Sequence, residues 1–184
     1  MLDRLIALAE ELNALQFGDF LLSDGQRTSY YFDGRRLSLH PEGAHLIGKE
    51  MLTLLANTGV AAVGGPTMGA DPIVTAVAIA SWQAGCPLPA FIVRKEAKDY
   101  GMGQMLEGPL PETGSEVAIL DDTCNTGEAV LHSIDAVERA GLRVAMVAVL
   151  MDRQSGGSAE VRRRGYRFES LLTLDAQGRM SSAR

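Results

Sequence analysis

The stretch that decides the fold is residues 117–129, VAILDDTCNTGEA. Its first four residues, Val117 to Leu120, form an apolar run of the kind found in strands buried on both faces. Two carboxylates follow, Asp121 and Asp122, then a small polar turn. From Gly127 the segment GEAVLHSIDAVERAG (127–141) returns its apolar residues at helical spacing. Strand, tight turn and helix in succession make half of a βαβ unit. Two negative charges side by side repel each other, so the pair is expected to serve a group outside the chain.

The same alternation extends outward in both directions. VAAVGG (60–65), AFIVR (90–94), RVAMVAVLM (143–151) and YRFESLLTL (166–174) read as strands. DPIVTAVAIASWQAG (71–85) reads as a helix with Asp71 as its cap, Pro72 at its first position and Gly85 past its end. SAEVRRRG (158–165) is a short helix. Near-continuous apolar strands alternating with helices predict an α/β protein with a mostly parallel, doubly wound sheet. Toward the N-terminus, a helix is expected over roughly 2–16, from the spacing of Leu2, Leu5, Ile6, Leu8, Leu12 and Leu15. SYYF (29–32) is the best strand candidate there, and a second helix spans 41–57 with Pro41 in its first turn. The segment before about residue 40 departs from the alternation. The expectation is a single domain of 184 residues, with a small N-terminal cap over about 1–40 and an α/β core over about 41–175.

Bulk properties exclude several classes. Apolar residues make up 46% of the chain, enough for a sizeable core. A net charge of −6 argues against a general nucleic-acid grip, which needs a dense basic face. Cys86 and Cys124 form no CxxC pair, so a disulfide framework or zinc site is not expected and a reducing cytoplasm fits. The N-terminal MLDRLIALAEELNAL does not read as a secretory leader, and TAVAIASW (75–82) is far too short to span a membrane. His40, His45 and His132 show no metal-ligand spacing, and His132 reads as packed or solvated.

In open α/β sheets ligands sit beyond the carboxyl ends of the strands. The four segments that follow the strands are GGPTMGADP (64–72), RKEAKDYG (94–101), DDTCNTGE (121–128) and DRQSGG (152–157). Together they predict one composite site. Thr123 to Gly127 lead into a helix N-terminus, whose free amides and dipole favour an anion. No lysine occurs in that loop, and neither GxxxxGK[ST] nor GxGxxG appears in the chain. An amide nest beside two carboxylates suits a phosphorylated sugar, with phosphate on the amides and hydroxyls on the acids. An acid at a strand end followed by an N-cap residue would account for one aspartate, not two. Simpler readings stand beside the others. RKEAK could be a solvated helix start, Arg153 a partner for Asp152, Tyr31 and Phe32 core residues, and Gly64, Gly65 and Gly69 plain turn residues.

VAILDDTCNTGEA resembles the phosphoribosyl-pyrophosphate (PRPP) signature of type I phosphoribosyltransferases. FGDFLLSDGQRTSYYFD (17–33), VRKEAKDYGMG (93–103) and LMDRQ (150–154) resemble the orotate branch of that family, over roughly residues 15–175. The resemblance implies a type I phosphoribosyltransferase-like fold. It also implies transfer of ribose 5-phosphate from PRPP to orotate, giving orotidine 5′-monophosphate and pyrophosphate in pyrimidine biosynthesis. It further implies a homodimer in which part of the basic loop serves the neighbouring site.

By the same resemblance, Asp121 and Asp122 hold the ribose hydroxyls and, with Lys98, carry the catalysis. Thr123, Cys124, Asn125, Thr126, Gly127, Glu128 and Ala129 correspond to the 5′-phosphate loop. Arg94, Lys95, Lys98 and Tyr100 meet the pyrophosphate, as does the backbone of GGPTMGADP, and residues 99–114 correspond to a lid with Gly101, Gly103 and Gly108. Arg153, Asn125, Tyr31 and Phe32 correspond to the orotate site. Mg2+ would ride mainly on PRPP and water, with no protein ligand assigned directly. The chain departs from the common family pattern at Tyr100, where many relatives have histidine, and at Asn125, where many have threonine. Gly69 and Ser23 stand where many have lysine. These departures keep two alternatives open: a transferase for another nucleobase, and a non-catalytic sensor of PRPP.

Overall fold

The computed structural model describes residues 1–21, 27–96 and 105–183. The chain runs α1 (Leu2–Glu11), β1 (Leu15–Leu21), β2 (Arg27–Phe32), α2 (Arg35–Ser38), α3 (Pro41–Leu55), β3 (Ala62–Pro66), α4 (Asp71–Gln83) and β4 (Ala90–Val93). It continues with β5 (Leu106–Glu107), β6 (Glu116–Cys124), α5 (Glu128–Arg139), β7 (Arg143–Asp152), α6 (Gly157–Arg163), β8 (Arg167–Leu174) and β9 (Met180–Ser182). Among the described residues the main sheet has seven strands in the order β5-β4-β3-β6-β7-β8-β9. Pairing is parallel from β4 through β8, with β5 and β9 antiparallel at the two edges. The expected mostly parallel α/β architecture is therefore the one observed.

Alternation along the central strands divides the core in two. Ala118 and Leu120 of β6, with Met146, Ala148 and Leu150 of β7, pack against residues of α1, α3 and α4. Val117 and Ile119, with Val147 and Val149, point the other way, toward Val130, Ile134 and Val137 of α5 and Val161 of α6. Successive side chains of a strand face opposite sides, so an unbroken apolar run is what a sheet covered on both faces requires.

Several boundaries differ from the sequence expectation, three of them with a visible cause. The first helix stops at Glu11 rather than near 16. Asn13 adopts a left-handed backbone (φ 50), the Ala14 amide returns to the Ala9 carbonyl, and Leu15 already belongs to β1. Asp71 does not cap α4. The cap position is Ala70, and the Asp71 carboxylate instead accepts a hydrogen bond from the Thr67 hydroxyl at 2.9 Å. Finally, β6 continues through Cys124, because β7 pairs with it as far as Cys124↔Asp152. The two aspartates thus sit inside the ladder rather than in a loop beyond it. No helix among the described residues is long and apolar enough to cross a membrane.

Helix α1 is continuous with the main core, while β1 and β2 pair with each other as a separate antiparallel ribbon. Leu5 and Leu8 are buried in the same apolar cluster as Ile47 and Met51 of α3. Leu5→Ala is therefore expected to lower global stability by about 2–5 kcal/mol. Urea unfolding followed by far-ultraviolet circular dichroism measures this. A wild-type midpoint would show α1 to be an independent appendage.

Candidate active site

The direction of chain progression reverses between β3 and β6. From β3 the chain crosses through α4 to β4 on one side; from β6 it crosses through α5 to β7 on the other. Such a switch point opens a crevice at the carboxyl ends of the two strands. A cavity of about 270 Å³ lies there, lined by Asp121, Thr123 and residues 125–130. A larger groove of about 900 Å³ shares Thr126, Glu128 and Ala129 with it and extends to Pro66, Thr67, Arg94, Lys95 and His132. A third cavity of about 380 Å³ lies between the β2 strand and the segment after β7, lined by residues 27–30, 153–155 and Ala176.

The carboxylate pair is held by the strand and by close neighbours. Asp121 is only 5% exposed, and its Oδ1 accepts the Asp122 amide at 2.8 Å. Burial pushes its carboxyl well above the ordinary value of 3.8, and the adjacent Asp122 charge pushes it further. Asp122 is more open. Burial raises it as well, while the Arg35 guanidinium pulls it back down. Arg35, itself held to Asp33 at 3.0 Å, is a member of the site that sequence reading missed. Gly69 turns out to be more than a turn residue. A Cβ there would lie 2.8 Å from the Asp122 carboxyl carbon, so the turn after β3 closes on that carboxylate only because no side chain intervenes.

The loop expected to cradle an anion leads into the start of α5. Gly127 occupies the cap position with a left-handed backbone (φ 84) that other residues rarely adopt. No side chain among the described residues caps this helix, so its first-turn amides are left to the cavity. Gly157, at the start of α6, supports the loop from behind. Its amide donates to the Asn125 carbonyl at 2.9 Å, and a Cβ there would lie 2.8 Å from the Cys124 sulfur. The Cys124 thiol is pushed up to about 12, chiefly by burial and then by Asp152, so it stays protonated and serves as packing.

The basic side of the site starts at the end of β4. Lys95 is exposed, and Arg94 lies 3.6 Å from Glu107 on β5. His132, expected to be packed or solvated, is partly buried and donates its ring Nε2–H to the Arg94 carbonyl at 3.1 Å, tying α5 to the root of the basic segment. Lys98, Tyr100, Gly101 and Gly103, like Ser23, lie outside the described residues.

Arg153 is 8% exposed and does not pair with Asp152, whose Oδ1 accepts the Gln154 amide instead. Among the described residues its Nε is buried with no hydrogen-bond partner, and its guanidinium carbon sits 5.0 Å from the centre of the Tyr30 ring. Of the two aromatic residues singled out in the sequence, Phe32 joins the apolar core. Tyr31 is partly exposed and packs on Phe20, with ring centroids 5.7 Å apart. Adjacent strand residues face opposite sides, so Tyr31 and Phe32 cannot line one surface. Tyr30 shares the Phe32 face, and strand parity was the signal that could have found it.

No family model matches the chain. An orotate phosphoribosyltransferase of Nostoc sp. is 45% identical over 162 residues, covering 88% of this chain and 78% of that protein. The crystal structure of Mycobacterium tuberculosis orotate phosphoribosyltransferase with inorganic phosphate superposes with a TM-score of 0.80 at 36% identity, covering 94% of this chain and 95% of the other. The complex of the M. tuberculosis protein with 5-phospho-alpha-D-ribosyl 1-diphosphate gives 0.73 at 34% identity, over 94% and 90%. At these identities and coverages, the chain belongs to the orotate phosphoribosyltransferase family.

Proposed function

We propose that this protein transfers ribose 5-phosphate from PRPP to orotate, giving orotidine 5′-monophosphate and pyrophosphate for pyrimidine nucleotide synthesis. The observation that carries the reading is the juxtaposition of an uncapped amide nest with a carboxylate pair at the switch point. Arg153, left without a carboxylate partner among the described residues, supports the orotate end.

The 5′-phosphate binds the first-turn amides of α5, within residues 123–129. The ribose hydroxyls donate to Asp121 and Asp122. The pyrophosphate faces the turn after β3 and the basic residues Arg94, Lys95 and Lys98, with Tyr100 as an uncharged donor. As the C1–oxygen bond breaks, its electron pair leaves with the pyrophosphate and the ribose becomes cationic. Fixed carboxylates beside the sugar then stabilise that charge without reorganising. Orotate N1 forms the new bond to C1, and the N1 proton is lost to solvent. Arg153 pairs with the planar orotate carboxylate, and Asn125 belongs to the walls on the base side.

Asp121 and Asp122 are hard oxygen donors that suit Mg2+. Among the described residues, no group of three or more His, Cys, Asp or Glu is placed to hold a metal, so substrate oxygens and water would supply most of its shell. Bound there, the ion would neutralise charge on the diphosphate. Met68, Ile79 and Trp82 expose 66%, 55% and 75% of their surface on α4 and the turn before it. This apolar stripe supports homodimerisation. The two free cysteines accord with a cytoplasmic location.

The reading is tested by following pyrophosphate release from PRPP and Mg2+ with a panel of bases. Orotate-dependent turnover is expected. Turnover only with another base, or PRPP binding without turnover, would replace it with one of the two alternatives.

Asp121→Asn is expected to lower turnover roughly 100-fold or more while raising the melting temperature of the ligand-free protein at pH 8. The sign follows from the raised carboxyl. A folded-state value above the unfolded one makes ionisation destabilising. That penalty is absent below about pH 4 and complete once pH exceeds the folded value. The stability difference between variant and wild type should therefore shrink toward pH 4; a constant difference would contradict the assignment.

Trp82→Glu should shift sedimentation toward monomer at micromolar concentration. An unchanged dimer would place the interface elsewhere.

A further inference from the structure

We infer that Tyr30 is a positioning residue that keeps the Arg153 guanidinium oriented and un-neutralised for the substrate carboxylate, an inference that rests on the reading of Arg153 given above. Arg153 poses a problem that the described residues do not solve with an acid. It is 8% exposed, its Nε has no hydrogen-bond partner, and the neighbouring Asp152 is turned to the Gln154 amide. A buried cation without a counter-ion is expensive. A carboxylate partner would remove the expense, but it would also occupy the donors that a ligand needs.

The Tyr30 ring offers a third solution. Its face lies 5.0 Å from the guanidinium carbon, close enough for the ring quadrupole to stabilise the cation. The positive charge is retained, and the N–H edges stay available. Arg153 and residues 27–30 line the same cavity of about 380 Å³, so the stabilised cation borders open space.

The ring is itself immobilised. Tyr30 is 6% exposed. Against it lies Gly178 in the turn between β8 and β9, where a Cβ would come within 3.1 Å of Tyr30 Cδ1 and 2.8 Å of Phe17. That turn is pinned by Asp175, whose Oδ1 accepts the amides of Gln177 and Arg179, each at 2.9 Å. Three distant segments therefore converge on one cation: β2 supplies the ring, the β8–β9 turn supports it, and the end of β7 supplies the guanidinium.

The test is steady-state kinetics of the full-length protein with orotate and PRPP varied independently, on Tyr30→Phe, Tyr30→Leu, Arg153→Ala and the Tyr30→Leu/Arg153→Ala double variant. Tyr30→Leu should raise the orotate KM roughly tenfold, the scale of a desolvated cation–π contact. Its PRPP KM should stay within about twofold of wild type, which also shows that the fold is intact. Tyr30→Phe keeps the ring and should restore the wild-type orotate KM. In the Arg153→Ala background the leucine change should add no further loss. Three results would overturn the inference: an unchanged orotate KM in Tyr30→Leu, an equal loss in Tyr30→Phe, or a parallel loss of PRPP affinity. If Arg153→Ala itself leaves the orotate KM unchanged, the underlying reading of Arg153 fails instead.

Discussion

Desolvation of the carboxylate at Asp121 is the constraint around which the rest of the molecule is arranged. The group is 5% exposed, lies beside a second acid, and rests on the Asp122 amide as its hydrogen-bond donor. An acid in that position destabilises the ligand-free fold once ionised. It is tolerated because β6 is a central strand, paired with β3 on one side and with β7 on the other. The residues just before it, from Val117 through Leu120, are fully buried. The energy of that apolar ladder holds the acids in place.

The same strand links the two ends of the site. The Cys124 carbonyl accepts the Arg153 amide at 3.0 Å, and the next carbonyl, that of Asn125, accepts the Gly157 amide at 2.9 Å. Consecutive carbonyls thus join the loop before α5 to the segment carrying Arg153. A reaction that brings two substrates to one carbon depends on holding them at a fixed separation, and rigid backbone connections provide it. Positive charge is distributed accordingly. Uncapped amides open the α5 helix, cationic side chains follow β4, and the buried Arg153 guanidinium stands at the far side.

Much of this was legible in the letters. The apolar runs read at 60–65, 90–94 and 143–151 became parallel strands, within two residues at each end, because a two-sided core accommodates them. DD followed by a small turn and a helix start marked the opening of α5 at Gly127, since free amides at a helix N-terminus are a local property. Short elements escaped. A two-residue strand such as β5, a four-residue helix such as α2 and the three-residue β9 carry too little periodicity to register. Asp71 illustrates a different failure. Its position before Pro72 fits a cap, yet the backbone placed Ala70 there and turned the acid toward Thr67.

The sequence by itself determined the fold class, the order of the core elements and the chemical character of the loops. All three follow from local periodicity and from side-chain types that have few other uses in such places. Only the tertiary structure decided which residues meet. Gly69 closes on Asp122 across 53 positions in sequence, and Tyr30 meets Arg153 across 123, contacts that depend on how the sheet is ordered and how the hairpin folds back over it. A side chain's partner at that distance is set by the packing of whole elements, and no window of neighbouring residues encodes it.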